Sequence, residues 1–195
     1  MLRVASCPAL AGPRWHLIGL AVDPGLSACG VALIEYDAEG TRPIVVCTVR
    51  PFAESDAVGK LDEIARRVRG WVMTYKPEWI AYEDQAGVSV AMAALGRMNQ
   101  AARRVHEVAG LLRMAAVAYD AQCIIIPPMT AKLVATGSGK ASKSMVKAAV
   151  ISQLKVTPRL SEHAADACAV WLAARKYASA KRVKPNLRLV KLDDG

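Results

Sequence analysis

The spacing of apolar residues changes character after the third of three short runs, and the order of the two patterns restricts the fold more than any other feature of this chain. Residues 17–22, 29–36 and 43–49 are β-rich runs, divided by Asp23-Pro24-Gly25 and by the hairpin-turn signal Asp37-Ala38-Glu39-Gly40. Beyond them Leu61, Ile64, Ala65, Val68, Trp71, Val72 and Tyr75 recur at three- and four-residue spacing, one apolar stripe on a helix that stops before Pro77. Residues 79–82 then read as a buried strand ending at Glu83, and 90–119 as a long Ala- and Leu-rich helix or a kinked pair. Residues 122–126 read as a further buried strand closed by Pro127-Pro128, and 142–154 and 162–178 as two more helices. Hairpin-connected strands followed by alternating helices and strands predict an α/β fold, a mixed five-stranded sheet flanked by helices with right-handed crossovers.

A chain of 195 residues can bury a core of this kind as one domain without disulfides or a structural metal. The expected division is an N-terminal arm over 1–16, one domain over 17–180 and a basic tail over 181–195. Apolar runs such as 123–129 fall far short of the roughly 20 residues that span a membrane, and 1–16 lacks the apolar run of a secretory signal. The five cysteines are scattered and never spaced as metal ligands, which fits free thiols in a reducing intracellular compartment such as the bacterial cytoplasm.

Charge narrows the partner. The chain carries 26 Lys and Arg against 17 Asp and Glu, a formal +9, which suits a polyanion. The excess is uneven: between Ala121 and Ser161 there is no acid, while Lys132, Lys140, Lys143, Lys147, Lys155 and Arg159 fall there.

Against that basic background a few carboxylates are placed where open α/β sheets put ligands, at the carboxyl ends of strands. Asp23 follows one buried run and Glu83 another. A third element, Ser161-Glu162-His163-Ala164-Ala165-Asp166, opens the last helix; His163 and Asp166 share a face there, and the two alanines between them allow close approach to a sheet. Taken singly, Asp-Pro-Gly is a turn former and an acid near a helix start suits the macrodipole. Together Asp23, Glu83, Asp166 and His163 are the donor set of a hard-cation site such as Mg²⁺, and a pair of such ions can clamp the attacking and leaving oxygens of a phosphodiester.

The same residues carry a family resemblance. Ala21-Val22-Asp23-Pro24-Gly25 with Cys29-Gly30-Val31-Ala32, then Ile80-Ala81-Tyr82-Glu83-Asp84-Gln85, then the basic stretch from Lys132 to Lys143, then His163-Ala164-Ala165-Asp166-Ala167, resemble in order the RuvC family of Holliday-junction resolvases. The likeness runs from about residue 17 to 174. It implies a ribonuclease H-like fold, a homodimer, and metal-dependent paired nicking of opposed strands at a four-way DNA junction. It further implies that Asp23, Glu83, His163 and Asp166 bind Mg²⁺, two ions per site with Mn²⁺ as a substitute. Lys132 and Lys143 take the places of the family's functional lysines. His163 stands where many members have Asp, a variant ligand. Residues 85–89, Gln-Ala-Gly-Val-Ser, lack the aromatic that often follows the Glu.

The expected division of labour has Asp23, Glu83, His163 and Asp166 as catalytic metal ligands and Lys143 as the cation beside the reacting phosphate. Lys132, Lys140, Lys143 and Lys147 contact the DNA backbone. The helix over 97–119, with Leu111, Leu112 and Met114, is the candidate dimer interface or else ordinary core. Competing readings are a nuclease of structured RNA or flap DNA resembling the YqgF relatives, and a sugar kinase or actin-like ATPase, which would need Thr136-Gly137-Ser138-Gly139 as a phosphate loop. A catalytically inactive DNA-binding scaffold is the last, and the intact acidic set argues against it.

Overall fold

The computed structural model of the chain describes residues 17–37, 39–84 and 100–180. In chain order they form β1 (Leu17–Asp23), β2 (Cys29–Tyr36), β3 (Thr41–Val49), α1 (Ala57–Tyr75), β4 (Trp79–Glu83), α2 (Gln100–Ala118), β5 (Gln122–Ile126), α3 (Pro128–Thr136), α4 (Lys143–Leu154) and α5 (Glu162–Ala180). The five strands make one sheet in the order β3-β2-β1-β4-β5. The two hairpins pair antiparallel and β4 and β5 add in parallel, as the strand and helix order predicts.

Local chemistry sets the boundaries. The β2–β3 turn closes because the Asp37 carboxylate accepts from the N–H groups of Glu39 and Gly40, at 2.7 and 2.8 Å. The Asp56 side chain caps α1 by accepting from Gly59 N–H at 2.7 Å, and Ser142 caps α4 by accepting from Met145 N–H at 3.3 Å.

Strand alternation divides the core in two. Leu20, Val22, Val31, Leu33, Ile80 and Tyr82 face α1 and α2, where the predicted stripe supplies Ile64, Val68 and Val72. Ala21, Ala32, Ile34, Ala81 and Ile126 face α3, α4 and α5. α5 lies lengthwise over this second face, its alanines 164, 165, 167, 169, 173 and 174 all buried, and the small side chains bring the helix close to the sheet.

At one end of α5 the contact is aromatic. A Cβ on Gly19 would lie 2.0 Å from the Trp79 ring, so only glycine fits there. Trp171 donates to the Gly19 carbonyl at 3.0 Å, Trp79 donates to the Tyr36 hydroxyl at 2.9 Å, and the three rings pack with centroids 5.4 to 6.2 Å apart. The Arg175 guanidinium lies over Tyr36 and Trp171.

One expectation needs correction, and two nearby stretches take on definite structural roles. β5 is not a buried strand but the sheet's edge, with Gln122, Cys123 and Ile125 exposed. Pro127-Pro128 closes the strand as expected, and Pro128 also begins α3, where a proline lacks an N–H that the first turn would not have bonded anyway. The Thr136-Gly137-Ser138-Gly139 stretch is a helix terminus, not a phosphate loop. Gly137 caps α3 at φ 80° with its N–H on the Leu133 carbonyl, and the Thr136 hydroxyl donates to the Lys132 carbonyl and accepts from Ser138 N–H.

The supposed interface cluster on α2 divides: Leu112 is core and Leu111 packs against it, while Met114 and Val117 stand 75% and 84% exposed. The helix is described from Gln100; its expected earlier part, the ring-free segment 85–89, the arm 1–16 and the tail 181–195 lie outside the described residues.

Candidate active site

One rung of the sheet organises the site. Asp23 on β1 pairs with Gly30 on β2, and Gly30 pairs with Thr48 on β3, so all three face the same side, toward the start of α5. Each meets that helix differently. Asp23 Oδ2 and His163 Nδ1 are 2.8 Å apart. Gly30 lies against the His163 carbonyl, to which a Cβ would come within 1.9 Å. The Thr48 and Ser161 hydroxyls share a short hydrogen bond, and Ser161 also accepts from Ala164 N–H at 3.2 Å, capping α5. Glycine at 30 is therefore what lets the helix start lie close enough for His163 to reach Asp23.

Glu83 ends β4, the parallel neighbour of β1, on the same face as Ala81 and Ala21, and is half-buried. Asp166 is one helical turn beyond His163 and feels the charges of Asp23, Lys143, His163 and Glu162. Lys143, the first residue of α4, donates to Glu162 Oε2 at 2.8 Å, and Asp166 and Asp23 act on its charge as well. Lys147, one turn on, acts on Glu162 too. Lys140 is exposed in the α3–α4 connection and Lys132 is half-buried on α3, which follows β5 on the far flank of the sheet from β3.

The electrostatics are unbalanced toward negative. Burial pushes the Asp23 carboxyl above the ordinary aspartate range in spite of its hydrogen bond to His163 and the positive Lys143. Asp166 is likewise raised, first by burial and then by the charge of Asp23. Lys143, whose charge acts on both carboxyls, is itself tied to Glu162, whose carboxyl it pulls down. Two carboxylates that resist ionisation beside one another, with Glu83 on the same face, are a donor set that a divalent cation would relieve. If His163 donates Nδ1–H to Asp23, its Nε2 lone pair is left for a cation or a proton, and the ring is 44% exposed. Among the described residues no three His, Cys, Asp or Glu side chains are already gathered tightly enough to close around an ion. The residues thus fit a metal in charge and chemistry, with a compact shell still to be drawn together.

Sequence reasoning singled out Asp23, Glu83, His163, Asp166 and Lys143 but missed what holds them. Gly30 stands in a sequence motif that gives it no role and Thr48 stands in none; the strand register is what gives both their place. Glu162, four residues before Asp166, pairs with Lys143 while its charge also acts on Asp166.

A mixed sheet of this order with acidic residues at the ends of its two central parallel strands and at the start of its last helix defines a ribonuclease H-like enzyme class. The model of the family described as crossover junction endodeoxyribonuclease RuvC matches residues 19–174, and the chain belongs to that family. Relatives include the RuvC of Mycolicibacterium smegmatis, 32% identical over 157 residues that cover 77% of this chain and 78% of that one. The RuvC of Rhodococcus opacus is 29% identical over 154 residues, 77% of each chain. Among solved structures, Thermus thermophilus RuvC in complex with Holliday junction substrate superposes with a TM-score of 0.72 at 25% identity, covering 85% of this chain and 96% of that one. The yeast mitochondrial Holliday junction resolvase Ydc2, at 13% identity and a TM-score of 0.50 over 80% of this chain and 75% of that one, shares the fold.

Proposed function

We propose that this chain is a metal-dependent endodeoxyribonuclease that resolves four-way DNA junctions by paired nicks on opposed strands, leaving 5′-phosphate and 3′-hydroxyl ends. The observation that carries the reading is the convergence of Asp23, His163 and Asp166, with Glu83 on the same face, in a chain of the crossover-junction family. Mg²⁺, two ions per site and replaceable by Mn²⁺, is the cofactor we assign; bound there it would activate water and stabilise a leaving oxygen.

The chain's own groups do the remaining work. Asp23, Glu83 and Asp166 supply anionic oxygens, and the α5 face holds Asp166 a turn from His163. His163 Nε2 is free to accept a proton from water while Nδ1–H stays on Asp23. Lys143 exchanges Glu162 for the non-bridging oxygens of the reacting phosphate, where charge builds. Lys132, Lys140 and Lys147 hold backbone phosphates, giving affinity without sequence information.

A junction has near two-fold symmetry and needs two cuts, so a homodimer of single-site subunits answers it, with exposed Met114 and Val117 on α2 in or near the interface. No described helix is long and apolar enough to cross a membrane. Cys29, Cys47, Cys123 and Cys168 are free thiols, consistent with the reducing bacterial cytoplasm as the compartment.

The test is cleavage of four-way, flap and structured-RNA substrates by the purified chain in Mg²⁺, with product ends mapped. Symmetric nicks confined to the four-way junction are expected. Equal or better cutting of flap DNA or RNA would replace the substrate assignment with a related branched-nucleic-acid nuclease.

A further inference from the structure

The rung that carries Asp23 continues past the active site. At its outer end β3 leaves the sheet through Thr48, Val49 and Arg50, and the connection from α4 to α5 returns alongside with Thr157, Arg159 and Ser161. Thr48, Arg50, Thr157, Arg159 and Ser161 line an open groove of about 200 Å³. Its floor is the Thr48–Ser161 hydroxyl pair, which joins β3 to the cap of α5 and so fixes the groove relative to His163.

The groove's chemistry is one-sided. No carboxylate lines it, whereas two guanidiniums and three hydroxyls do. Arg50 and Arg159 are exposed, and among the described residues neither enters an ion pair. Three other exposed arginines are neutralised, Arg42 by Glu35, Arg66 by Asp62 and Arg67 by Glu63, whereas Arg69 on α1 is unpaired among the described residues but stands without a second guanidinium in a groove. Two unneutralised guanidinium forks above hydroxyl donors match the oxygens of a phosphodiester.

Thr48 is two strand spacings from Asp23, about 10 Å, which is about three nucleotide rises along a DNA strand. On the opposite flank of Asp23, β5 leads into α3 and Lys132. We propose that the Arg50–Arg159 groove binds a backbone phosphate of the DNA strand about three nucleotides from the cut, so that the strand crosses the sheet edge between Lys132 on one flank and this groove on the other. The inference rests on the reading of the chain as a junction nuclease.

The experiment measures binding of a fixed four-way junction in Ca²⁺ across a series of salt concentrations. Arg50→Ala with Arg159→Ala should weaken binding about tenfold or more and reduce the slope of log K against log salt by about 0.9, the contribution of the single phosphate contact that the groove makes. The Arg50→Lys, Arg159→Lys pair, which keeps the charge, should retain most of the slope. Arg66→Ala with Arg69→Ala on α1 removes the same formal charge elsewhere and should leave the slope near that of the unaltered chain. Neutral methylphosphonates about three nucleotides from the cut should weaken the unaltered chain but add nothing in the Arg50→Ala, Arg159→Ala protein. A slope in that protein equal to the unaltered chain's or to the α1 control's, or fully additive losses with methylphosphonate, would overturn the groove assignment alone. Failure of the unaltered chain to prefer a four-way junction over linear duplex would overturn the junction reading and this inference with it.

Discussion

The two ends of α5 pack against the same face of the same sheet and differ in almost every physical respect. At the Trp171 end each ring nitrogen has a partner, Arg175 covers the rings, and the close approach at Gly19 is filled by indole. At the His163 end the close approach at Gly30 delivers charge instead: buried Asp23, a half-buried Asp166, and carboxyls held above their ordinary range. One end is satisfied within the chain, whereas the other leaves negative charge for something outside it to satisfy. The difference separates what stabilises this fold from what it is for.

The contrast can be broken from either end, and the largest effect is expected at the charged one. Asp23→Asn should lower single-turnover junction cleavage by about 10³-fold or more, the scale of losing a charge on which transition-state stabilisation depends. Junction binding should be kept or tightened and the melting temperature kept or raised, because a buried charge is removed; near-normal cleavage would remove Asp23 from the chemistry. At the other end Trp171→Ala should cost about 3–5 kcal/mol of stability, read as a shift in denaturant midpoint. Cleavage per folded molecule should stay within a few-fold in the cold, and a loss as deep as that of Asp23→Asn would show the two ends are not separable.

Gly30→Ala tests the joint between strand and helix. The new Cβ would strike the His163 carbonyl, so the start of α5 must shift and cleavage should fall about 10²-fold, the cost of roughly 1 Å of misplacement. A fully active Gly30→Ala protein would mean that the His163–Asp23 contact is not needed for cutting. Lys143→Ala should slow the cut more than it weakens junction binding, and an unchanged single-turnover rate would return the lysine to its pairing with Glu162.

The smallest effect is on pH. The Asp23 and Asp166 carboxyls are raised, so the cation-free folded chain holds protons more tightly than the unfolded chain. Unfolding free energy should therefore fall as pH rises from about 4 through the folded-state values. Asp166→Asn should flatten that dependence, and Mg²⁺ at neutral pH should raise the melting temperature more than it does at acidic pH.

The satisfied end was only partly legible in the sequence and the charged end mostly so, for a physical reason. Strands, turns and the stripe of α1 are local patterns, and the candidate carboxylates stand at strand ends or near a helix start, so Asp23, Glu83 and Asp166 could be read from position alone. The Tyr36, Trp79 and Trp171 cluster joins residues far apart in the chain, and nothing in its spacing announces it. α3 was hidden because Pro127-Pro128 looks like a stop when the second proline is a start. β5 was misread as buried because Ile124 to Ile126 are uniformly apolar, yet an edge strand leaves Ile125 exposed. Gly30 and Thr48 acquire meaning only when the register places them on the rung of Asp23.

The claim that the charged end of α5 is a cation site is tested most directly by Mn²⁺ binding, followed by electron paramagnetic resonance, in the unaltered chain, Asp23→Asn and Trp171→Phe. The account predicts Mn²⁺ binding in the unaltered chain, retained in Trp171→Phe and weakened at least tenfold in Asp23→Asn. Equal Mn²⁺ affinity in Asp23→Asn and the unaltered chain would contradict it.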